Sequence, residues 1–136
     1  MLHHLSIGVS NIERSAAFYD AVLEPLGYIR VFEDLRPGGR NQAVGYGTEP
    51  GKDKLAIKER DADQLAAGKG FHLALRAPSR EAVEAFHRIG MQHGAVDRGV
   101  PQYWSDFGPG YFAAYIVDPD GWQLEAVWND PERSGK

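Results

Sequence analysis

The 136-residue sequence contains no cysteine, which excludes disulfides, thiolate metal sites and a cysteine nucleophile. Long apolar runs are missing too. No segment approaches the ~18 apolar residues that span a bilayer, and the opening MLHHLS lacks a signal-peptide pattern. Fifteen Lys and Arg stand against 19 Asp and Glu, a net charge of −4, and the basic residues form no run. Nucleic acid and membrane are therefore not expected partners. The glycines fall in turns rather than in a G-x-G-x-x-G or Walker pattern, and no G-x-S-x-G elbow anchors a serine hydrolase. With 43% hydrophobic and 25% charged residues, the chain reads as a soluble, cytoplasmic domain large enough for one core.

What the chain does contain is a repeat. HLSIGVSNIERSAAFYD, from His4 to Asp20, and HLALRAPSREAVEAFHR, from His72 to Arg88, are near-copies at an offset of 72 − 4 = 68. Leu5 meets Leu73, Ile7 meets Leu75, Glu13 meets Glu81, and Ala17-Phe18 meets Ala85-Phe86. Each copy opens with a histidine and continues as an alternating strand and then a helix. A duplicated unit places equivalent residues symmetrically about one axis, so the two histidines can converge on one site.

From Leu2 to Val9 the alternation sets Leu5, Ile7 and Val9 on one face and His4, Ser6 and Gly8 on the other. Ser10 or Asn11 caps a helix with Ile12, Ala16, Tyr19, Val22 and Leu23 at helical spacing, stopped by Pro25 and Gly27. Tyr28 to Asp34 reads as a strand and Arg36-Pro37-Gly38-Gly39 as a turn. Gln42 to Gly47 and Lys54 to Lys58 read as strands joined through Glu49-Pro50-Gly51, followed by a polar connector, Asp61 to Lys69, with a short helical turn. The second half repeats the order. Phe71 to Ala77 alternates, Ser79 caps a helix over Arg80 to His93, and Gly99 to Gly110 is a loop rich in Gly, Pro and aromatics. Tyr111 to Val117 and Trp122 to Trp128 form a hairpin around Asp118-Pro119-Asp120-Gly121, and Asp130 to Lys136 reads as a frayed tail. The expected fold is α+β: a single domain over 1–130 made of two β-α-β-β-β units, about 1–60 and about 70–130, plus a tail at 131–136. Aligned at an offset of 69, the hairpins set Tyr46 against Tyr115, Leu55 against Leu124 and Ala56 against Glu125.

These pieces in order resemble the glyoxalase / bleomycin-resistance / extradiol-dioxygenase superfamily, also called the vicinal oxygen chelate family. The resemblance rests on His4-Leu5-Ser6-Ile7-Gly8-Val9-Ser10-Asn11, Phe18-Tyr19, Leu26-Gly27-Tyr28, His72, and Asp118-Pro119-Asp120-Gly121-Trp122-Gln123-Leu124-Glu125. It implies that the two sheets form one open curved barrel around a divalent metal held by His4, His72 and Glu125. The implied ion is Zn, Fe, Mn or Ni. A fourth ligand used by glyoxalase I-like members falls on Ala56, which cannot ligate, so the resemblance implies the three-ligand arrangement of extradiol dioxygenases and fosfomycin-resistance enzymes.

Strand parity agrees with that ligand set, because His4, His72 and Glu125 each lie opposite the apolar face that a helix would cover. Two imidazoles and a carboxylate leave positions open for water, substrate or oxygen. The plainer reading is three solvated residues. His3 is the rival ligand: it shares parity with Leu5, and a bulge would reverse the choice. Tyr103, Trp104, Phe107, Tyr111 and Tyr115, with Tyr46 from the first unit, either line a substrate pocket or pack in the core and a dimer interface. Arg76, two residues past His72 on the same face, either holds an anionic substrate group or pairs with a carboxylate. Two functions follow. One is a metal-dependent enzyme that chelates a small oxygen-bearing substrate, with lyase, isomerase, epoxide-opening or dioxygenase chemistry. The other is a non-catalytic, drug-sequestering protein with an aromatic sandwich and no metal. A homodimer is expected in either case.

Overall fold

An alternating run and a capped helix open each half of the chain, and both fold as such. The computed structural model describes residues 2–36, 38–39, 41–65 and 68–134. Its elements are β1 (Leu5–Val9), α1 (Ile12–Leu23), β2 (Ile29–Asp34), β3 (Ala43–Glu49), β4 (Lys52–Glu59), β5 (Leu73–Arg76), α2 (Arg80–Gln92), β6 (Val96–Tyr103), β7 (Tyr111–Val117) and β8 (Gln123–Asn129). Short 3-10 turns occupy Glu24–Leu26, Ala62–Gln64 and Ser105–Phe107. The strands make two mixed sheets of four, ordered β1-β4-β3-β2 and β5-β8-β7-β6. Residues 1–20 with 28–66 form one compact unit, and 21–27 with 67–136 form the other. No described helix is long and apolar enough to cross a membrane.

In the first unit β1 runs parallel to β4, with Leu5 beside Leu55 and Ile7 beside Ile57. Asn11 Oδ1 accepts the Arg14 N–H at 3.0 Å, and Glu59 Oε2 accepts the Ile12 N–H at 3.3 Å. Two otherwise orphaned donors at the start of α1 are thereby satisfied, one from within the turn and one from β4. Phe18 and Tyr19 are buried, and the Tyr19 ring meets Tyr46 at 6.2 Å.

The second unit is built the same way. Ser79 Oγ accepts the Ala82 N–H at 3.1 Å and starts α2, whose buried Val83 and Phe86 face the sheet that carries buried Phe112, Ile116 and Leu124. Complete burial of each such side chain contributes about 1.5–3 kcal/mol. Gly90 permits the close approach: a Cβ there would lie 2.8 Å from Ile116 Cδ1. The end of α1 belongs to this unit, and Val22 Cγ1 would be 3.6 Å from the same Cβ.

Three expectations need correction. The predicted loop over Gly99 to Gly110 is in its first part a strand, β6, which completes the second β-α-β-β-β unit. Pro101 is tolerated there because β6 is an edge strand, and its ladder to β7 shifts register at Asp97/Gly99 and Gly99/Gln102. The tail is tied rather than frayed as far as Ser134: Asp130 accepts from the Glu132 N–H, the Ser134 N–H and the Ser134 hydroxyl. Tyr46 and Tyr115 are not equivalent. Leu55 pairs with Tyr46, whereas Leu124 pairs with Ile116, because a register shift after Tyr46 absorbs one residue. Pro37 of the predicted turn, Ala66 and Ala67 of the connector and Gly135 and Lys136 of the tail lie outside the described residues.

Candidate functional site

The second unit's hairpin puts one carboxylate in the middle of a sheet. Asp118 is buried and its Oδ1 accepts the N–H groups of Asp120 and Trp122 at 2.9 and 2.8 Å, while Gly121 takes φ +98°. This side-chain-bonded turn fixes where β8 begins and hence its register. Strand β8 is then flanked by β5 and β7, with Glu125 directly between Ala74 and Tyr115. Alternation turns Leu124 and Ala126 toward α2 and Glu125 to the opposite face.

On that face Glu125 is only 1% exposed. Its Oε1 meets His72 Nε2 at 3.0 Å and its Oε2 accepts the Tyr111 hydroxyl at 2.5 Å. His72, just before β5, has a side chain 51% exposed, so the pair joins a buried acceptor to a solvent-reachable ring. Burial first, then the hydrogen bond to Glu125 and its charge, holds the Tyr111 phenol well above its ordinary value. Tyr115 is pushed up to about 12, again by burial first and then by the Glu125 charge. Both phenols are therefore protonated donors at neutral pH.

Beside this network lies a cavity of about 570 Å³, with His72 and Tyr115 on one side and Trp104, Arg98, Gln102 and Phe107 among its other walls. That volume suits a small organic ligand. The Trp104 indole donates its Nε1–H to the Ala113 carbonyl at 2.8 Å and meets the Tyr115 ring edge-on at 5.3 Å. Gly99 is required beneath them, since a Cβ there would come within 2.9 Å of Tyr115 and 3.0 Å of Trp104.

The candidate residues thus fall in different places. His72, Glu125, Tyr111 and Tyr115 form one network, and Trp104 and Tyr103 join the cavity wall. The Tyr103 hydroxyl donates to Asp130 Oδ2 at 2.7 Å, and the Arg133 guanidinium stacks 3.8 Å from its ring. Tyr46 lies under α1: it is buried and its hydroxyl bonds the Asp20 carboxylate at 2.9 Å. Arg76 is exposed at the end of β5. His4 belongs to the first unit, exposed and within 2.9 Å of His3 through their Nδ1 atoms. Sequence reasoning placed Phe107 in this aromatic cluster but missed Arg98 and Gln102; their period-two spacing along Val96 to Tyr103 was the available signal, broken up by Gly99 and Pro101.

His72 and Glu125 carry nitrogen and oxygen donors of the kind that divalent ions take. Their 3.0 Å approach is that of a hydrogen bond between the two side chains. Among the described residues no group of three or more His, Cys, Asp or Glu side chains stands together to hold an ion. The second unit thus brings together two of the three candidate ligands.

A family model for the Glyoxalase/Bleomycin resistance protein/Dioxygenase superfamily matches residues 1–126. Among solved structures, a glyoxalase/bleomycin resistance protein from Albidiferax ferrireducens T118 is 28% identical, with 93% of this chain and 97% of that chain covered at a TM-score of 0.71. A putative glyoxalase from Bacillus halodurans is 25% identical, with coverage of 94% and 95% and a TM-score of 0.65. The fosfomycin resistance protein FosX from Listeria monocytogenes, 15% identical with coverage of 98% and 97%, shares the fold at a TM-score of 0.68. No functionally curated protein matches the chain.

Proposed function

The chain belongs to the Glyoxalase/Bleomycin resistance protein/Dioxygenase superfamily, and on that premise we propose a metal-dependent enzyme acting on a small oxygen-bearing substrate. The observation that carries this is Glu125: a carboxylate 1% exposed and 3.0 Å from His72, which lines an aromatic-walled cavity. Proposed metal ligands are His72, Glu125 and His4. A divalent ion (Zn, Fe, Mn or Ni) held by them would supply Lewis-acid stabilisation of negative charge on substrate oxygens. Isomerase, lyase, epoxide-opening and dioxygenase reactions all develop such charge.

The chain's own residues do the remaining work. Trp104 and Tyr115 offer perpendicular ring surfaces to the substrate body and exclude water from one side. The Tyr115 hydroxyl, on the cavity wall and cross-strand from Glu125, would donate to a developing oxyanion. A proton abstracted from substrate would go to water. The proposed working form is a cytoplasmic homodimer.

A second reading, a ligand-sequestering protein without metal, is favoured by Phe107, which is 63% exposed at the cavity. Elemental analysis of protein purified without a histidine tag separates the two. The enzyme reading expects about one ion per chain, released by His4→Ala, His72→Ala or Glu125→Ala. Empty wild-type protein, with ligand affinity unchanged in all three variants, would favour sequestration. Sedimentation as a monomer at micromolar concentration would refute the dimer.

A further inference from the structure

The two oxygens of Glu125 have different partners: Oε1 has His72 Nε2, and Oε2 has the Tyr111 hydroxyl. The terminal torsion of a glutamate is broad and two-fold, so an unrestrained carboxylate offers a cation either one oxygen or both. Here the second oxygen is restrained by the hydrogen bond from Tyr111. Tyr111 lies four residues before Tyr115 on the same face of β7, opposite Asn129 at the start of the strand, and its ring rests on Phe107 at 5.3 Å. Tyr115 lines the cavity, whereas the Tyr111 hydroxyl is directed to the carboxylate. Of these two tyrosines, two pleat repeats apart, only Tyr115 lines the cavity.

We propose that Tyr111 is a positioning residue that commits Glu125 to one-oxygen coordination, holding Oε2 so that only Oε1 is offered beside His72. This rests on the reading of His72 and Glu125 as metal ligands. Hydrogen bonds from outside the ligand shell orient ligating carboxylates, and their loss typically weakens metal affinity about 10–100-fold. Loss of the Tyr111 hydroxyl would do more than weaken binding, because a freed Oε2 can turn toward the ion and change its coordination.

The test is titration of metal-free protein with Co(II), followed by the visible absorption of the bound ion, in wild type and in Tyr111→Phe, with circular dichroism to check folding. The expected result is Tyr111→Phe binding about 10–100-fold more weakly, with an altered visible spectrum. An unaltered spectrum overturns the positioning role, whether or not stability falls, since general destabilisation does not change the ligand set. Wild type that takes up no Co(II) overturns the metal reading and this inference with it. Should Tyr111→Phe fail to fold, a crystal structure of zinc-loaded wild type decides: one Glu125 oxygen on the ion and the other on Tyr111 supports the proposal, and both oxygens on the ion overturns it.

Discussion

Replacing Glu125 by glutamine separates what this side chain does for the fold from what it does for an ion. Glutamine keeps the shape and one carbonyl oxygen, which can still accept the Tyr111 hydroxyl, while its amide can donate to a neutral His72 ring. Two charge-assisted bonds at about 1.5–3 kcal/mol each become neutral ones at about 0.5–1.5. Against that loss, a carboxylate 1% exposed no longer has to be desolvated, a cost of several kcal/mol. The two changes nearly cancel, so metal-free Glu125→Gln should unfold within about 1 kcal/mol of wild type. Glu125→Ala is different: it leaves the Tyr111 hydroxyl without its acceptor and opens a void, for a loss of about 2–4 kcal/mol. Urea denaturation in chelator and again in excess zinc measures both quantities. With zinc at a hundred times its Kd, wild type should gain about 2.7 kcal/mol and Glu125→Gln almost nothing. A metal-free Glu125→Gln that loses more than about 2 kcal/mol would refute the cancellation. A zinc gain retained in the variant would remove Glu125 from the ion site.

Gly99→Ala should cost about 1–3 kcal/mol by overpacking and shift Trp104 fluorescence, because its Cβ would press on Tyr115 and Trp104 at 2.9 and 3.0 Å; an unchanged urea midpoint would contradict this. Tyr115 has a folded value raised from 10.0 to about 12, so its contribution to stability is full below pH 10 and declines as pH rises toward 12. Urea midpoints measured across that range should fall less steeply in Tyr115→Phe than in wild type. Tyr103→Phe removes the donor to Asp130 at 2.7 Å and should speed tryptic cleavage after Arg133, measured by mass spectrometry; an unchanged rate would show that backbone bonds alone hold the tail.

The duplication was legible because it is written in two periods at once: alternation in Leu5-Ile7-Val9 and Leu73-Leu75, then helical spacing after Asn11 and Ser79. The hairpin at Asp118 was equally plain, since Asp, Pro and Gly each suit a turn for a separate physical reason. Strand β6 was hidden because Gly99 and Pro101 are turn residues by local chemistry, and only its place at the sheet edge makes them acceptable. The placement of Tyr46 was out of reach for a similar reason. An alignment of hairpins assumes constant register, and a single shift after Tyr46 carries the residue to the helix-covered face. The bond from Tyr111 to Glu125 joins residues fourteen positions apart, and no local pattern marks it.

The two kinds of residue around the cavity are anchored unequally. Glu125 sits on a strand with a neighbour on either side, whereas Arg98, Gln102 and the approach to Trp104 ride on a border strand whose pairing is interrupted twice. Insertions, deletions or exchanges along that border would reshape the ligand space and leave the carboxylate where it is. One molecule thus combines a carboxylate fixed in mid-sheet with a cavity wall on a readily altered border, an arrangement in which, under the proposed function, ligand preference can diverge while the chemistry stays in place.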